Sequence, residues 1–265
     1  MNITQIAALL KDLVHQAGRI ILSAHKGREL CVESKMGSAN FVTSYDTMVQ
    51  EHVIRRIKEI IPDAVFIAEE KDNDPSAMMG EHCFIIDPID GTTNFIHGFR
   101  ASCISIAMAS RGEVILAAIY DPYRDELFTA EKGKGAFLND RPIHVSDRVG
   151  EQTVITFGTS PYYKDSVSDK TFALAKDVFL AMGDLRRLGS AALDLANLAA
   201  GRADAFFEMI LSPWDFAAGM LIVREAGGIV TQIDGSEVKV TEPCSIFAGT
   251  PNTHSTLLAL ARKYC

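Results

Sequence analysis

Asp87 and Asp90 stand three residues apart in the string Asp87-Pro88-Ile89-Asp90-Gly91-Thr92-Thr93-Asn94, directly after the apolar run Cys83-Phe84-Ile85-Ile86. Pro88 stiffens the turn and removes a backbone donor, and Gly91 allows a sharp bend. Thr92, Thr93 and Asn94 add hydroxyls and helix-start chemistry. Such a segment can hold a hard divalent cation between its carboxylates and aim amide groups at an anion. A metal beside a phosphate means phosphoryl chemistry.

Two further acids belong in the account. Glu70 ends the pair Glu69-Glu70 just past a short apolar strand, Ala64 to Ala68, so neighbouring strands would bring it to the sheet end that carries Asp87 and Asp90. Asp215 lies far downstream in Pro213-Trp214-Asp215-Phe216-Ala217-Ala218-Gly219, where Pro213 starts an apolar helix. Clustered carboxylates repel unless a cation neutralises them. Oxygen donors without histidine or thiolate point to magnesium or manganese rather than zinc.

These residues need a frame. Helices are expected over residues 4–24, with Thr4 as cap, and over 45–61, stopped by Pro62. The strand at 83–86 leads into the motif. Strands at 103–109, 114–120, 127–130 and 136–138 are separated by turn chemistry and read as an antiparallel meander. The second half alternates: strand 153–157, helix 167–182, strand 184–188, helix 190–200, strand 203–208, helix 214–226, strands 229–233 and 245–248, helix 252–263. Alternation of this kind implies layers of sheet and helix. One domain over residues 1–265 is expected, with an N-terminal lobe of about 1–150, a C-terminal lobe of about 151–265 and a seam at Asp147-Arg148-Val149-Gly150.

At 48% hydrophobic over 265 residues, the chain can bury a sizeable core. A formal charge of −8 advertises no broad basic surface, so direct nucleic-acid binding is not expected. Cys31, Cys83, Cys103, Cys244 and Cys265 are odd in number and irregularly spaced, which reads as reduced thiols in the cytoplasm. The N-terminus does not read as a signal peptide, and no apolar run spans a membrane. His97 reads as a helix-end residue, Cys103 and Phe206-Phe207 as core, and Arg186-Arg187 as a solvated strand end rather than a pair reaching substrate phosphate or an adjacent subunit.

Taken together, the pieces resemble the inositol monophosphatase family over nearly the whole chain. Asp87 to Phe95 matches its first signature, and Trp214 to Gly219, continuing to Glu225-Ala226-Gly227-Gly228, its second. Val42-Thr43-Ser44-Tyr45-Asp46, Glu69-Glu70 and Gly189-Ser190-Ala191-Ala192 fill the places between. Gly98-Phe99-Arg100-Ala101-Ser102 departs from the family's usual Phe-Pro, which bears on rim geometry.

The resemblance implies a five-layered αβαβα sandwich, a homodimer and a lithium-sensitive, magnesium-dependent phosphatase. Glu70, Asp87 and the Ile89 carbonyl would hold one Mg2+, and Asp87, Asp90 and Asp215 a second, with a third, weaker ion near Glu70 left open and Mn2+ able to substitute. Glu70 and Thr92 would orient the attacking water, with Asp46 as the partner of Thr92 and Lys35 near the metals. Gly91 and Thr92 would bind phosphate. Asp90, Asp215, Gly189, Ser190, Ala191 and Glu208 complete the substrate side, with Glu208 accepting from a ring hydroxyl. The implied substrate is myo-inositol 1-phosphate or a similar polyol monophosphate. Fructose 1,6-bisphosphate and a 3′-phosphoadenosine nucleotide are the alternatives, and the absence of an obvious extra basic cluster beside Gly189–Glu208 favours a monophosphate. An added regulatory role, binding transcription or RNA-processing machinery through Arg186-Arg187 and Arg202, is the reading from another class.

Overall fold

The computed structural model describes residues 1–24, 32–34 and 41–265. Lys35 and Cys31, both named above, lie outside them. Helix α1 (Ile3–Ser23) opens the fold, and its cap is Asn2 rather than Thr4: the Asn2 side chain accepts from the Gln5 amide at 2.9 Å while Gln5 reaches back to the Asn2 amide. Two short strands, β1 (Val32–Ser34) and β2 (Phe41–Thr43), pair antiparallel and deliver the chain to α2 (Ser44–Ile60).

A seven-stranded sheet follows, in the order β3 (Val65–Ala68), β4 (Cys83–Asp90), β5 (Cys103–Ser110), β6 (Glu113–Asp121), β7 (Glu126–Glu131), β8 (Ala136–Leu138) and β9 (Arg141–Ile143). β3 and β4 are parallel; the rest is antiparallel, and the expected meander runs one strand further, through β9. Arg111 and Gly112, both at positive φ, close the β5–β6 hairpin. β4 continues past Ile86 to Asp90, so the acidic motif lies within the strand. Its register against β5 shifts between Asp87 and Asp90, the irregularity that lets Pro88 sit there without a donor. A short helix, α3 (Thr92–Ile96), leaves the strand.

The chain crosses to a second sheet between β9 and β10 (Val154–Phe157). Arg148, in this crossing, is held by Asp204: its Nε donates to both carboxylate oxygens, at 3.1 and 3.2 Å, and the Val154 amide donates at 2.6 Å. Asp204 is fully buried, so this ion pair pins the crossing to the second half of the molecule. The remaining elements are α4 (Lys164–Ala181), β11 (Asp184–Arg186), α5 (Ala191–Ala199), β12 (Ala205–Leu211), α6 (Pro213–Glu225), β13 (Ile229–Thr231), β14 (Cys244–Gly249) and α7 (His254–Ala261). The five-stranded sheet has the order β11-β10-β12-β14-β13, with β10 parallel to both neighbours.

Five layers result: α1 and α2, the seven-stranded sheet, α5 and α6, the five-stranded sheet, then α4 and α7. Each junction has its apolar contents. Leu13, Val14, Val53 and Phe84 fill the first; Phe206, Phe216, Leu195 and Ile119 surround the central helices; Phe207, Phe247, Leu174 and Leu257 fill the last. All nine residues of α5 are buried, as expected of a helix sandwiched between sheets. The described cysteines Cys83, Cys103, Cys244 and Cys265 are free thiols.

Candidate active site

The pleat of β3 and β4 decides which acids meet. Ile67 pairs with Ile85, and Ala68 with Ile86. Ile67 and Ile85 face the central helices, whereas Ala68 and Ile86 face α1 and α2. One step further, Glu69 falls beside Asp87 on the central side, its amide donating to the Ile86 carbonyl at 3.2 Å. Glu69 accordingly lines the cavity where the motif opens, and Glu70, expected there, does not. The backbone of Glu70 is clamped instead by Gln50 of α2, through two 2.9 Å hydrogen bonds.

The cavity encloses about 430 Å³ between the two sheets. Asp87, Ile89, Asp90, Gly91 and Thr92 form one wall, Asp215 and Trp214 another, and Gly189, Ser190, Ala191 and Glu208 a third. Asp215 is the third residue of α6; the Ser212 amide donates to its Oδ2 at 2.7 Å, so the capping arrangement fixes its direction. Asp90 reaches across to the other half of the molecule. Its Oδ2 accepts from the Ser190 hydroxyl and from the Ala192 amide at 2.8 Å, both at the start of α5. Asn94 of α3 makes a second tie, donating to the Ala101 and Leu188 carbonyls at 2.8 Å.

Gly91 is obligatory at the corner. Its φ is +88°, and an added Cβ would lie 2.9 Å from the Ala101 carbonyl oxygen. Behind the wall, Thr43 and Asp46 form a capping box at the start of α2, in which the Thr43 amide and hydroxyl both donate to Asp46 Oδ2. The Thr92 hydroxyl lies 3.3 Å from the remaining Asp46 oxygen and 3.1 Å from the Ile89 carbonyl.

Burial shapes the electrostatics. It raises the Asp87 carboxyl well above the usual carboxylate range, with Glu69, Asp90, Asp215 and Asp46 adding repulsion. Asp215 is raised well above that range by burial, then by Glu69 and Asp90. Burial pushes Asp90 up to about 6 against the opposing donors at α5, and Glu208 up to about 7 against the Ser160 amide, which donates to it at 2.7 Å. Carboxyls raised by burial and by one another around one cavity are what a divalent cation relieves, and their all-oxygen chemistry suits a hard ion. Among the described residues no three acidic, imidazole or thiol side chains already stand in metal-ligating geometry.

Several lining residues were not singled out from the sequence: Glu69, Thr159, Tyr162, Tyr163 and Asp194; Arg187, read there as a solvated strand end, also lines the cavity. Strand alternation was the available signal for Glu69; the others come from loops or from a helix interior and carry no spacing signature. Of the two adjacent arginines, Arg186 pairs with Asp184, whereas Arg187 faces the cavity and donates to Thr159 at 3.2 Å. A cationic side chain therefore stands beside Gly189, where none was expected. Arg202 is engaged by Glu126 through two 2.6 Å bonds. His97 is the exposed cap of α3, and Cys103, Phe206 and Phe207 are core.

Comparison with known proteins gives a consistent picture. The sequence model described as the inositol monophosphatase family matches residues 2–265. The chain is 38% identical over 234 residues to an inositol-1-monophosphatase of Mesorhizobium japonicum, covering 87% of this chain and 86% of that one. It is 37% identical over 254 residues to a Nus factor SuhB of Vibrio cholerae, covering 94% and 92%. The crystal structure of extragenic suppressor protein suhB from Bartonella henselae superposes with a TM-score of 0.91 at 36% identity, covering 98% of this chain and all of that one.

Proposed function

The chain belongs to the inositol monophosphatase family, and from that membership we propose that it hydrolyses myo-inositol 1-phosphate or a similar polyol monophosphate with the help of Mg2+. The observation that carries this reading is the cavity shared by Glu69, Asp87, Asp90 and Asp215, acids from three elements whose mutual repulsion, added to burial, raises the proton affinity of Asp87 and Asp215. In this reading Asp87, Glu69 and the Ile89 carbonyl hold one ion, and Asp87, Asp90 and Asp215 a second; Glu69 takes the place first given to Glu70. Bound ions would neutralise phosphoryl oxygens and acidify the attacking water.

The chain's own groups do the rest. Asp46, fixed by its capping box, draws the Thr92 proton inward, so the Thr92 oxygen presents lone pairs to a water. The amides of Gly91 and Thr92, at a helix start, suit the phosphate. Gly189, Ser190, Ala191 and Glu208 bound the alcohol side, where the buried Glu208 accepts from a hydroxyl and repels a second phosphate. Arg187 tempers that repulsion at the rim, which keeps fructose 1,6-bisphosphate and a 3′-phosphoadenosine nucleotide in the comparison.

The test is phosphate release from inositol 1-phosphate, glycerol 2-phosphate, fructose 1,6-bisphosphate and 3′-phosphoadenosine nucleotide, with magnesium titrated. Inositol 1-phosphate should lead, and a chelator should abolish turnover. Equal rates throughout would remove the named substrate, and chelator-resistant turnover the metal. Sedimentation of the full chain tests the homodimer, which a single monomeric species would remove.

The relatives named Nus factor SuhB support a second role, binding to transcription machinery, beside the first. With Arg202 bridged to Glu126 of the other sheet and Arg187 at the cavity, Arg186, exposed and paired with its near neighbour Asp184, is the arginine on which to test it. Asp90→Asn should stop turnover and spare a pulldown from lysate, and Arg186→Glu should do the reverse. An unchanged pulldown with Arg186→Glu removes that surface.

A further inference from the structure

Helix α5 is apolar on every side apart from Asp194 and Asn197. Asn197 is accounted for: its amide donates to the Leu193 carbonyl at 2.8 Å, and its oxygen receives Arg202 at 3.3 Å. Asp194 is not. It is 1% exposed, and its Oδ1 makes no hydrogen bond. The Thr156 hydroxyl is close enough to lower its pKa somewhat, yet Thr156 Oγ1 is itself without a hydrogen bond, so the two are not properly paired. Leaving a carboxyl oxygen buried and unpaired is costly, and a fold tolerates it where something else uses the atom.

The position says what that could be. Asp194 follows Ser190 by four residues and Ala191 by three, so it hangs from the same helix face, one turn deeper, and it lines the same cavity. Glu208 faces that cavity from β12, backed by Gly158, where even a Cβ would come within 1.8 Å of Glu208 Oε2. Glu208 and Asp90 both act on Asp194 electrostatically, and burial, the larger cause, holds its carboxyl well above the usual range. Two buried carboxyls thus line the cavity beside Gly189, Ser190 and Ala191, the side where the alcohol leaving group of the proposed reaction would project.

We propose that Asp194 is a specificity-determining residue, whose Oδ1 accepts a hydrogen bond from a second hydroxyl of the leaving polyol, beside the hydroxyl taken by Glu208. The inference rests on the phosphatase reading above and deepens it. A leaving group with neighbouring hydroxyls satisfies both carboxyls, and one without them strands two acceptors.

The experiment compares myo-inositol 1-phosphate with phenyl phosphate, an ester whose leaving group carries no extra hydroxyl, in magnesium-loaded full-length protein. Asp194→Ala should lower kcat/KM for the inositol ester by roughly 10- to 100-fold, mainly through KM, and change phenyl phosphate by less than about twofold. Asp194→Asn keeps an acceptor oxygen and should restore most of the difference. Asp194→Leu, an apolar near-isostere suited to the interior of α5, gives the same ratio measurement should the alanine variant unfold. An equal loss on both esters, or an unchanged ratio, overturns the role of Asp194 while leaving the phosphatase reading intact. A wild-type protein that releases phosphate from neither ester overturns that reading and this inference with it.

Discussion

The Thr92 hydroxyl has one proton and two acceptors near it, Asp46 Oδ1 and the Ile89 carbonyl. Asp46→Asn replaces a pure acceptor by a group that can turn its amide toward Thr92 and reverse the direction of donation. We expect kcat to fall by about 100-fold with KM nearly unchanged, as for lost positioning of a water. A comparable substitution pair separates the two adjacent glutamates: Glu69→Gln should cost about 100-fold or more in kcat at saturating magnesium, and Glu70→Gln less than about tenfold. Equal losses would return Glu70 to the site. At this scale much of the site was legible in advance: Asp87, Asp90 and Asp215 were named from residue type and spacing, and the Asp46–Thr92 pair from the family resemblance. Glu69 was displaced by one position because a Glu-Glu doublet names no face until the β3–β4 register is known. Asp194 was illegible because a single acid within Ala-Leu-Asp-Leu-Ala reads as helix until that helix is seen to be buried on every side.

Elements were more legible than their edges. Apolar runs such as Leu193 to Ala199 and Phe216 to Val223 gave the central helices, and turn residues gave the meander. β9 and the β1–β2 pair were missed because three residues carry no periodicity, and Pro142 within β9 is an atypical strand residue. β4 was cut short at Ile86 because Pro88 looks like a stop, whereas the shifted register accommodates it. The central pair of helices depends on a close approach at Gly219, where a Cβ would lie 2.7 Å from the Leu195 Cβ. Gly219→Val should force α5 and α6 apart and cost roughly 1–3 kcal/mol, read as a lower denaturant midpoint. An unchanged midpoint would show that the central layer yields without penalty.

For the whole molecule, the buried acids link folding to pH. Glu208 has a pKa of about 7 in the folded protein against 4.5 as its ordinary value, so between those limits the native state holds a proton that the unfolded chain has released. Stability is therefore full below about pH 4.5 and falls as pH rises through 7, by on the order of 3 kcal/mol from this group. Thermal unfolding with chelator present should show a lower Tm at pH 8 than at pH 5, and Glu208→Gln should reduce the difference, the other raised carboxyls keeping the rest. A Tm that rises over the same interval in both proteins would contradict the burial assigned to Glu208.

Asp90 belongs to one sheet, yet it holds the first turn of the helix that carries the other half's cavity wall. One of the cavity's acids is thus also a fastener between the two sheets' halves. An amide substitution there, which turns an acceptor of two donors into a weaker one, loosens that join from the inside before any outer layer gives way. Quicker deuterium uptake at the Ala192 and Leu193 amides, with α1 and α7 still protected, is the signature to look for.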